Sequence, residues 1–427
     1  MKQRESWIRK FALITTGQIF SIVGSSAAHF AIIWWMTVQT GSAMTLTAAS
    51  LIGYLPQALI SPFAGVWVDR LNRKHIIMIA DGVVALASAG LAIAFLIGTP
   101  SIAFIYAMLF IRSIGGTFHS PAFSAAVPMI VPEQHLVKVG GWTKLTSSGA
   151  YLLGPAIGAL LMGLMPIWAV MLIDIIGAAF AIITLSFIAI PNIKHASEKI
   201  NFIGDIKDGV KTIKNNKAFI AIIIPMLIAC TAGNPIGSLL PLAVKNHFGG
   251  GVWHNSAVEI AFTVGALLCA LLMGIFGSIN RPFKTVGLCI FIMGFLGLAA
   301  SFATPAMFIP FVVGCILMGM ASAALDIPLT AYMQKTCPPQ MLGKVLAMFT
   351  SIMSVCVPLG LAIAGPVAEK LGVMTWFTIA GVACLVAGIY ALIVARKYKD
   401  YTPPAIEGLA PQEAPAPDVA EARVCGE

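Results

Sequence analysis

The chain has 427 residues, of which 59% are hydrophobic and only 10% are charged, whereas an average soluble domain has roughly 25% charged residues. Together with a mean hydropathy of +0.92, these proportions exclude a soluble globular fold. The formal charge of +9 does not indicate nucleic-acid binding, because the basic residues lie between apolar runs rather than along one stripe.

The apolar runs repeat along the whole chain, and each is long enough to cross a bilayer as a helix. They predict an all-α membrane protein with 12 transmembrane helices rather than a β-barrel, which would show short alternating strands. The predicted spans are 11–37, 44–68, 75–97, 101–126, 143–165, 167–190, 218–243, 255–277, 284–303, 306–330, 345–368 and 373–396. Lys and Arg are concentrated before the first span and in alternate loops, while the other loops hold only Lys245 and Lys370. By the positive-inside rule, both termini are expected in the cytoplasm.

Two pairs of similar segments indicate an internal repeat. VPEQHLVKV (131–139) and CPPQMLGKV (337–345) share five of nine residues at an offset of 206, and Asn72-Arg73 recurs as Asn280-Arg281 at an offset of 208. Both pairs fall in equivalent loops, so we expect two pseudo-symmetric six-helix bundles with a substrate path between them. The predicted domains are an N-terminal bundle (1–190), a cytoplasmic linker with an amphipathic helix (191–217), a C-terminal bundle (218–396) and a disordered cytoplasmic tail (397–427).

No sequence pattern of an enzyme or of a metal site is found. The eight cysteines include no C-x-x-C pair, and neither a Walker A sequence nor H-E-x-x-H occurs. We expect no metal and no cofactor, with a proton gradient as the source of energy. An accessory ATPase stays open as a partner besides the lipid bilayer, the protons and a small amphipathic substrate.

The loop after the second span carries a family resemblance. GVWVDRLNRK (65–74) resembles the loop motif of the major facilitator superfamily, in which glycine, Asp-Arg and basic residues follow one another. The resemblance implies a conformational latch between the two halves, with Asp69 placed either to cap the third helix or to pair across the halves. The predicted latch residues are Gly65, Asp69, Arg70, Arg73, Lys74 and the supporting Asp81. A plain positive-inside loop is the alternative.

The fifth span carries a second resemblance, to the antiporter motif of the same superfamily. Its residues are Gly141, Ala150, Gly154, Pro155 and Gly158. In the family this motif marks drug/proton antiporters, while ordinary close packing of small residues is the alternative.

RSIGGTFHSPA (112–122) in the fourth span resembles the macrolide-efflux branch of the superfamily. This resemblance implies efflux of bulky amphipathic compounds in exchange for protons, by alternating access, in the bacterial plasma membrane. An exporter of a native metabolite such as a siderophore or a lipid, and a non-transporting membrane sensor or partner, are the two alternatives.

Arg112 lies near the middle of the fourth span, where a charge costs about 2.5–3.5 kcal/mol on insertion scales. The best candidate for its partner is Asp174 in the sixth span. Because arginine does not deprotonate in proteins, we hypothesise that Asp174 carries the coupled proton and that Arg112 is the fixed charge. A purely structural ion pair is the alternative.

Other polar groups within the spans are candidates for a substrate cavity. With Arg112 these are His29, Asp326 and Glu259, for which a satisfied core histidine, a helix-end group and an interfacial group are the respective alternatives. His119 follows Arg112 by seven residues and therefore lies on nearly the same helix face.

Overall fold

The computed structural model describes residues 2–188, 190, 217–276, 281–337 and 339–398. These residues form twelve long helices and three short 3-10 turns, and no strand occurs in the described ranges. Each long helix contains a segment that is long and apolar enough to cross a membrane. The prediction of an all-α protein with twelve spans is therefore confirmed.

The twelve helices follow one another along the chain. They are α1 (Lys2–Thr40), α2 (Ala43–Arg70), α3 (Arg73–Ile97), α4 (Ile102–Ala126), α5 (Leu136–Leu164), α6 (Ile167–Ser186), α7 (Lys217–Asn246), α8 (Val252–Phe276), α9 (Pro282–Ser301), α10 (Phe308–Thr336), α11 (Pro339–Leu371) and α12 (Val373–Lys397). We call the end with the α1–α2, α3–α4 and α11–α12 connections the outer end and the opposite end the inner end, after the charge-based prediction. Helices α1 and α11 begin before the predicted span starts at residues 11 and 345, because hydropathy marks only the part of a helix that lies within the bilayer.

The two halves pack by the same scheme. In the first half α1 packs on α5 and α6, α3 packs on α4 and α6, and α2 packs on α4. In the second half α7 packs on α11 and α12, α9 packs on α10 and α12, and α8 packs on α10. Gly154 of α5 lies against Ser26 of α1, and Gly360 of α11 lies against Thr231 of α7. The two glycines are 206 residues apart, which is the offset of the matching loop segments. The internal repeat is therefore present in the packing.

Contacts between the halves also come as a symmetric pair, because α2 packs on α11 and α5 packs on α8. Large apolar side chains such as Ile97, Phe187 and Ile309 are exposed on the outside of the bundle, as expected for surfaces that face lipid. The domain boundaries stay a prediction, since the linker at 191–216 and the tail from 399 onward lie outside the described residues.

Candidate functional site

A buried ion pair joins α4 to α6 in the first half. Arg112 Nη1 contacts Asp174 Oδ2, and the two side chains are 9% and 0% exposed. Ser25 Oγ of α1 donates to Asp174 Oδ1 at 2.6 Å, and Ser88 Oγ of α3 donates to Oδ2 at 2.6 Å. Arg112 also hydrogen-bonds with Ser88 Oγ and donates from Nη2 to the Ser25 carbonyl at 3.3 Å. Four helices therefore contribute to one closed polar network.

Small residues allow these four helices to approach closely enough for the short serine side chains to reach. A Cβ at Gly24 of α1 would lie 3.1 Å from the Asp174 Cα, and a Cβ at Gly177 of α6 would lie 2.6 Å from the Phe20 carbonyl oxygen. A Cβ at Gly115 of α4 would lie 3.0 Å from the carbonyl oxygen of Ala80. Glycine at helix contacts is the usual means of close approach in membranes, so the packing positions the ion pair.

The network compensates the charge of Asp174 completely. A buried ion pair is tolerated only when its geometry is good and its remaining hydrogen-bonding groups are satisfied. Here one carboxylate accepts from two hydroxyls and a guanidinium. The role of this pair in proton coupling stays a prediction.

A second polar cluster lies closer to the inner end of the same half. Asp81 of α3 is 5% exposed and accepts from Gln18 Nε2 at 3.2 Å and from Ser21 Oγ at 3.4 Å. His119 Nε2 of α4 lies 3.5 Å from Asp81 Oδ1. Asp81 is thus surrounded by groups of α1 and α4, and its support of the loop latch stays a prediction.

The loop after α2 is held within its own half. Asn72 Oδ1 accepts from the backbone N–H of Lys74 at 3.0 Å and caps α3, while the two alternatives for Asp69, a helix cap or a pair across the halves, stay predictions. Lys74 Nζ donates to the carbonyls of Ser186 and Ile188 at 2.7 and 2.9 Å, and Arg73 contacts Met129 Sδ at 2.7 Å. The surroundings of Gly65 and the side chains of Asp69 and Arg70 lie outside the described part, and the latch stays a prediction.

The glycines of the helix-5 motif lie where α5 meets α1. A Cβ at Gly154 would lie 2.1 Å from Ser26 Oγ, and a Cβ at Gly158 would lie 2.9 Å from the Ala27 carbonyl oxygen. Ala150 is buried, whereas Gly141 is exposed and has nothing near the position of a Cβ. Gly154 and Gly158 with the neighbouring Pro155 therefore form a close contact between helices, and their link to antiport stays a prediction.

The other candidate residues do not join the Arg112 network. His29 is exposed on α1, one turn beyond Ser25, and Asp326 is exposed on α10. Glu259 of α8 is partly buried and accepts from Asn255 Nδ2 at 3.0 Å. The structure thus places Asp326 and Glu259 in the second half, and their roles in a substrate cavity stay predictions.

Two charged residues of the second half contact helix ends of the first half. Lys245 Nζ of α7 donates to the carbonyls of Thr37 and Val38 at 3.1 and 2.9 Å. Glu369 Oε2 of α11 accepts from Ser42 Oγ and from the backbone N–H of Met44, both at 3.0 Å. A cation thus meets the C-terminal end of α1 and an anion meets the N-terminal end of α2, which is the favourable sense for both helix dipoles. We call these four hydrogen bonds the outer contacts.

Sequence reasoning missed the polar residues that surround Asp81 and Asp174. Gln18, Ser21 and Ser25 follow one another at spacings of three and four, and therefore share one face of α1. This spacing of polar residues in an apolar helix is the signal that could have found them.

Comparison with known proteins identifies the family. A profile of the Major Facilitator Superfamily matches residues 14–350 and 227–423. The chain belongs to the Major Facilitator Superfamily. It is thus a multi-pass membrane transporter rather than an enzyme.

Two of the relatives that match are named as efflux proteins. The chain is 36% identical over 384 residues to macrolide efflux protein A of Streptococcus pyogenes, which covers 89% of this chain and 95% of the relative. It is 24% identical over 410 residues to the multidrug efflux pump Tap of Mycolicibacterium fortuitum, covering 90% and 94%. The resemblance to drug-efflux members of the superfamily therefore extends over most of the chain.

Solved structures of the superfamily share the fold. A bacterial homologue of the iron transporter ferroportin in its inward-facing state superposes with a TM-score of 0.71 at 14% identity, covering 92% of this chain and 99% of that one. A bacterial homologue of the lysosomal transporter Spinster, also inward-facing, gives 0.69 at 13% identity, with coverage of 92% and 98%. At these identities the likeness establishes the fold alone.

Proposed function

We propose that this transporter exports bulky amphipathic compounds of the macrolide type from the bacterial cytoplasm in exchange for protons, with both termini in the cytoplasm. The observation that carries the proposal is the buried Arg112–Asp174 pair in a chain that is 36% identical to a macrolide efflux protein. Ionisable residues inside a membrane bundle are costly and rare, and they usually mark the pathway of a substrate or an ion.

The outer contacts join the two halves at one end of the bundle, which supports a conformation that is closed to the outside. In this conformation Asp174 is held by Arg112, Ser25 and Ser88. In the conformation that is open to the outside, a proton binds Asp174, and the attraction between Asp174 and Arg112 is lost. Neutralisation of Asp174 favours the return to the inward-open state, and release of the proton to the cytoplasm then restores the pair and the affinity for substrate.

Everted membrane vesicles provide the test. Wild-type vesicles should accumulate a radiolabelled macrolide when a pH gradient is imposed, and a protonophore should abolish this accumulation. Asp174→Asn should lose the gradient-driven accumulation, because the amide cannot exchange a proton. Accumulation that persists in Asp174→Asn would reject Asp174 as the proton carrier. Accumulation that resists the protonophore and requires ATP would reject proton exchange and favour an accessory ATPase.

A further inference from the structure

The polar cluster of Gln18, Ser21, Asp81 and His119 has no role in the function proposed above. Its carboxylate comes from α3, its amide and hydroxyl from α1 and its imidazole from α4. Asp81 and Gln18 are 5% and 3% exposed, so the cluster lies inside the first half rather than at its surface. A buried carboxylate in a membrane helix requires a partner.

The partners of Asp81 are weaker than those of Asp174. Asp174 accepts two hydrogen bonds of 2.6 Å and contacts a guanidinium, whereas the three groups around Asp81 lie at 3.2, 3.4 and 3.5 Å. Most hydrogen bonds from N–H groups are 2.7–3.2 Å long. Asp81 therefore lacks the close contacts that surround Asp174.

Two atoms of the cluster have no hydrogen-bond partner among the described residues. They are Gln18 Oε1 and His119 Nε2, and both are buried. Unpartnered polar atoms inside a protein usually mark a missing water, ion or proton. His119 Nε2 and Asp81 Oδ1 are 3.5 Å apart. A proton on either atom would let that atom donate to the other, and it would remove the repulsion between their lone pairs.

Of the described ionisable side chains on the helices around Asp81, His119 is the one that contacts its carboxylate. The helices α4 and α6 pack on α3; α4 contributes Arg112 and His119, and α6 contributes Asp174. Arg112 is bound to Asp174. On α1, His29 is exposed and lies on the outer side of Ser25. At the inner end of α3, Lys74 donates to carbonyls at the end of α6. Arg73 contacts Met129, and His75 follows Lys74 on α3. The side chains of Asp69 and Arg70 on α2 lie outside the described part.

The cluster connects the Arg112–Asp174 pair with the inner end. Ser21 of the cluster and Ser25 of the ion-pair network are one turn apart on α1, and Asp81 and Ser88 are two turns apart on α3. His119 is 19% exposed, and the adjacent Ser120 and the preceding Gly116 are exposed. The cluster is thus one helix turn from the Asp174 network on one side and next to exposed positions of α4 on the other.

We propose that Asp81 and His119 form a second proton-binding site, which receives the proton released by Asp174 and passes it to the cytoplasm. In this step the proton leaves a carboxyl oxygen of Asp174 and binds Asp81 or His119, with the hydroxyls of Ser25 and Ser21 and intervening water as the relay. It then moves to water at the inner end, so no oxidant or reductant is required. The order of transfer, from Asp174 to the cluster and then to water, depends on the proposed exchange with protons. The binding of a proton at the cluster does not depend on it.

Infrared difference spectroscopy of the purified protein in lipid nanodiscs tests the binding site directly. Spectra recorded between acidic and alkaline buffer should contain a band of a protonated carboxyl group that is lost in Asp81→Asn. His119→Gln should shift the pH at which that band appears, which a purely structural role of His119 would not do. Glu133→Gln is the matched control, because Glu133 is an exposed carboxylate near the same end of the bundle, and it should leave the band unchanged. An Asp81→Asn spectrum identical to the wild-type spectrum would overturn the proposal.

Macrolide accumulation in everted vesicles tests the role in transport. Asp81→Asn and His119→Gln should reduce gradient-driven accumulation to the level found with a protonophore, while downhill flux of the macrolide continues and shows that the variants are folded. If the wild type shows no proton-driven accumulation but keeps the Asp81 band, the proposed function fails and the site stands. If the wild type is proton-driven and both variants accumulate macrolide equally well, the relay is rejected. A band or an accumulation that appears only with sodium in the buffer would assign the cluster to a metal cation and would also reject the proposal.

Discussion

At the scale of single residues, the Arg112–Asp174 pair makes a clear prediction about stability. Arg112→Leu leaves the buried carboxylate with its two serine donors and no cation, which should cost about 3–5 kcal/mol. The double variant Arg112→Leu/Asp174→Leu should recover most of this loss, because a buried pair replaced by apolar side chains of similar size is often neutral. Denaturant unfolding in detergent micelles measures both. A double variant that is as unstable as Arg112→Leu would contradict this explanation.

The sequence allowed the pair to be predicted but not its surroundings. Arg112 and Asp174 are isolated charges in apolar runs, and such charges in a membrane must find each other or a cavity. Ser88 carries no such signal, because a serine or threonine in a helix can satisfy its hydroxyl on the carbonyl four residues earlier. Thr37 and Thr47 do this here, with oxygen-to-oxygen distances of 2.8 and 2.9 Å. Only the packing of α1, α3 and α6 decides which hydroxyls turn toward the carboxylate.

At the scale of helices, the repeated contact between α1 and α5 and between α7 and α11 allows a matched comparison. A Cβ at Gly154 would lie 2.1 Å from Ser26 Oγ, whereas a Cβ at Gly360 would lie 2.1 Å from the Thr231 carbonyl oxygen. Gly154→Ala and Gly360→Ala should both lower the free energy of unfolding, by about 1–3 kcal/mol for overpacking. Thermal unfolding of the purified variants measures these losses.

The two glycines should respond differently to a second substitution. Ser26→Gly should rescue Gly154→Ala, because it removes the side chain that obstructs the new methyl group. Thr231→Gly should not rescue Gly360→Ala, because the obstructing atom belongs to the backbone. Gly149→Ala on α5 is the control, since nothing lies within 4 Å of its Cβ position, and alanine in place of glycine in a helix should be neutral or stabilising. Equal rescue at both sites would show that the contacts do not determine the packing.

At the scale of the whole molecule, the internal repeat could be predicted from two loop matches, while the outer contacts could not. A repeat leaves similar residues at a constant offset, as the segments at 131–139 and 337–345 show. The outer contacts join a side chain to the end of a helix, and any exposed lysine or glutamate could do the same. Lys245 and Glu369 become recognisable only when the halves are placed together.

The outer contacts should bias the transporter toward the conformation that is closed at the outer end. Each contact of a charge with a helix end is worth about 0.3–1 kcal/mol, so Lys245→Met or Glu369→Gln should each raise the proportion of outward-open molecules by about two- to five-fold. Spin labels at Leu164→Cys and Ile309→Cys, exposed positions at the outer ends of opposite halves, report this opening as a longer distance in double electron–electron resonance. Lys370→Met, which removes an exposed charge beside Glu369, is the control and should leave the distances unchanged.

High salt should weaken the effect of Glu369→Gln, since Glu369 is exposed and its charge is screened. If the distances in both variants match the wild type, the four hydrogen bonds do not set the balance, and the apolar packing of α2 on α11 alone holds the outer end closed.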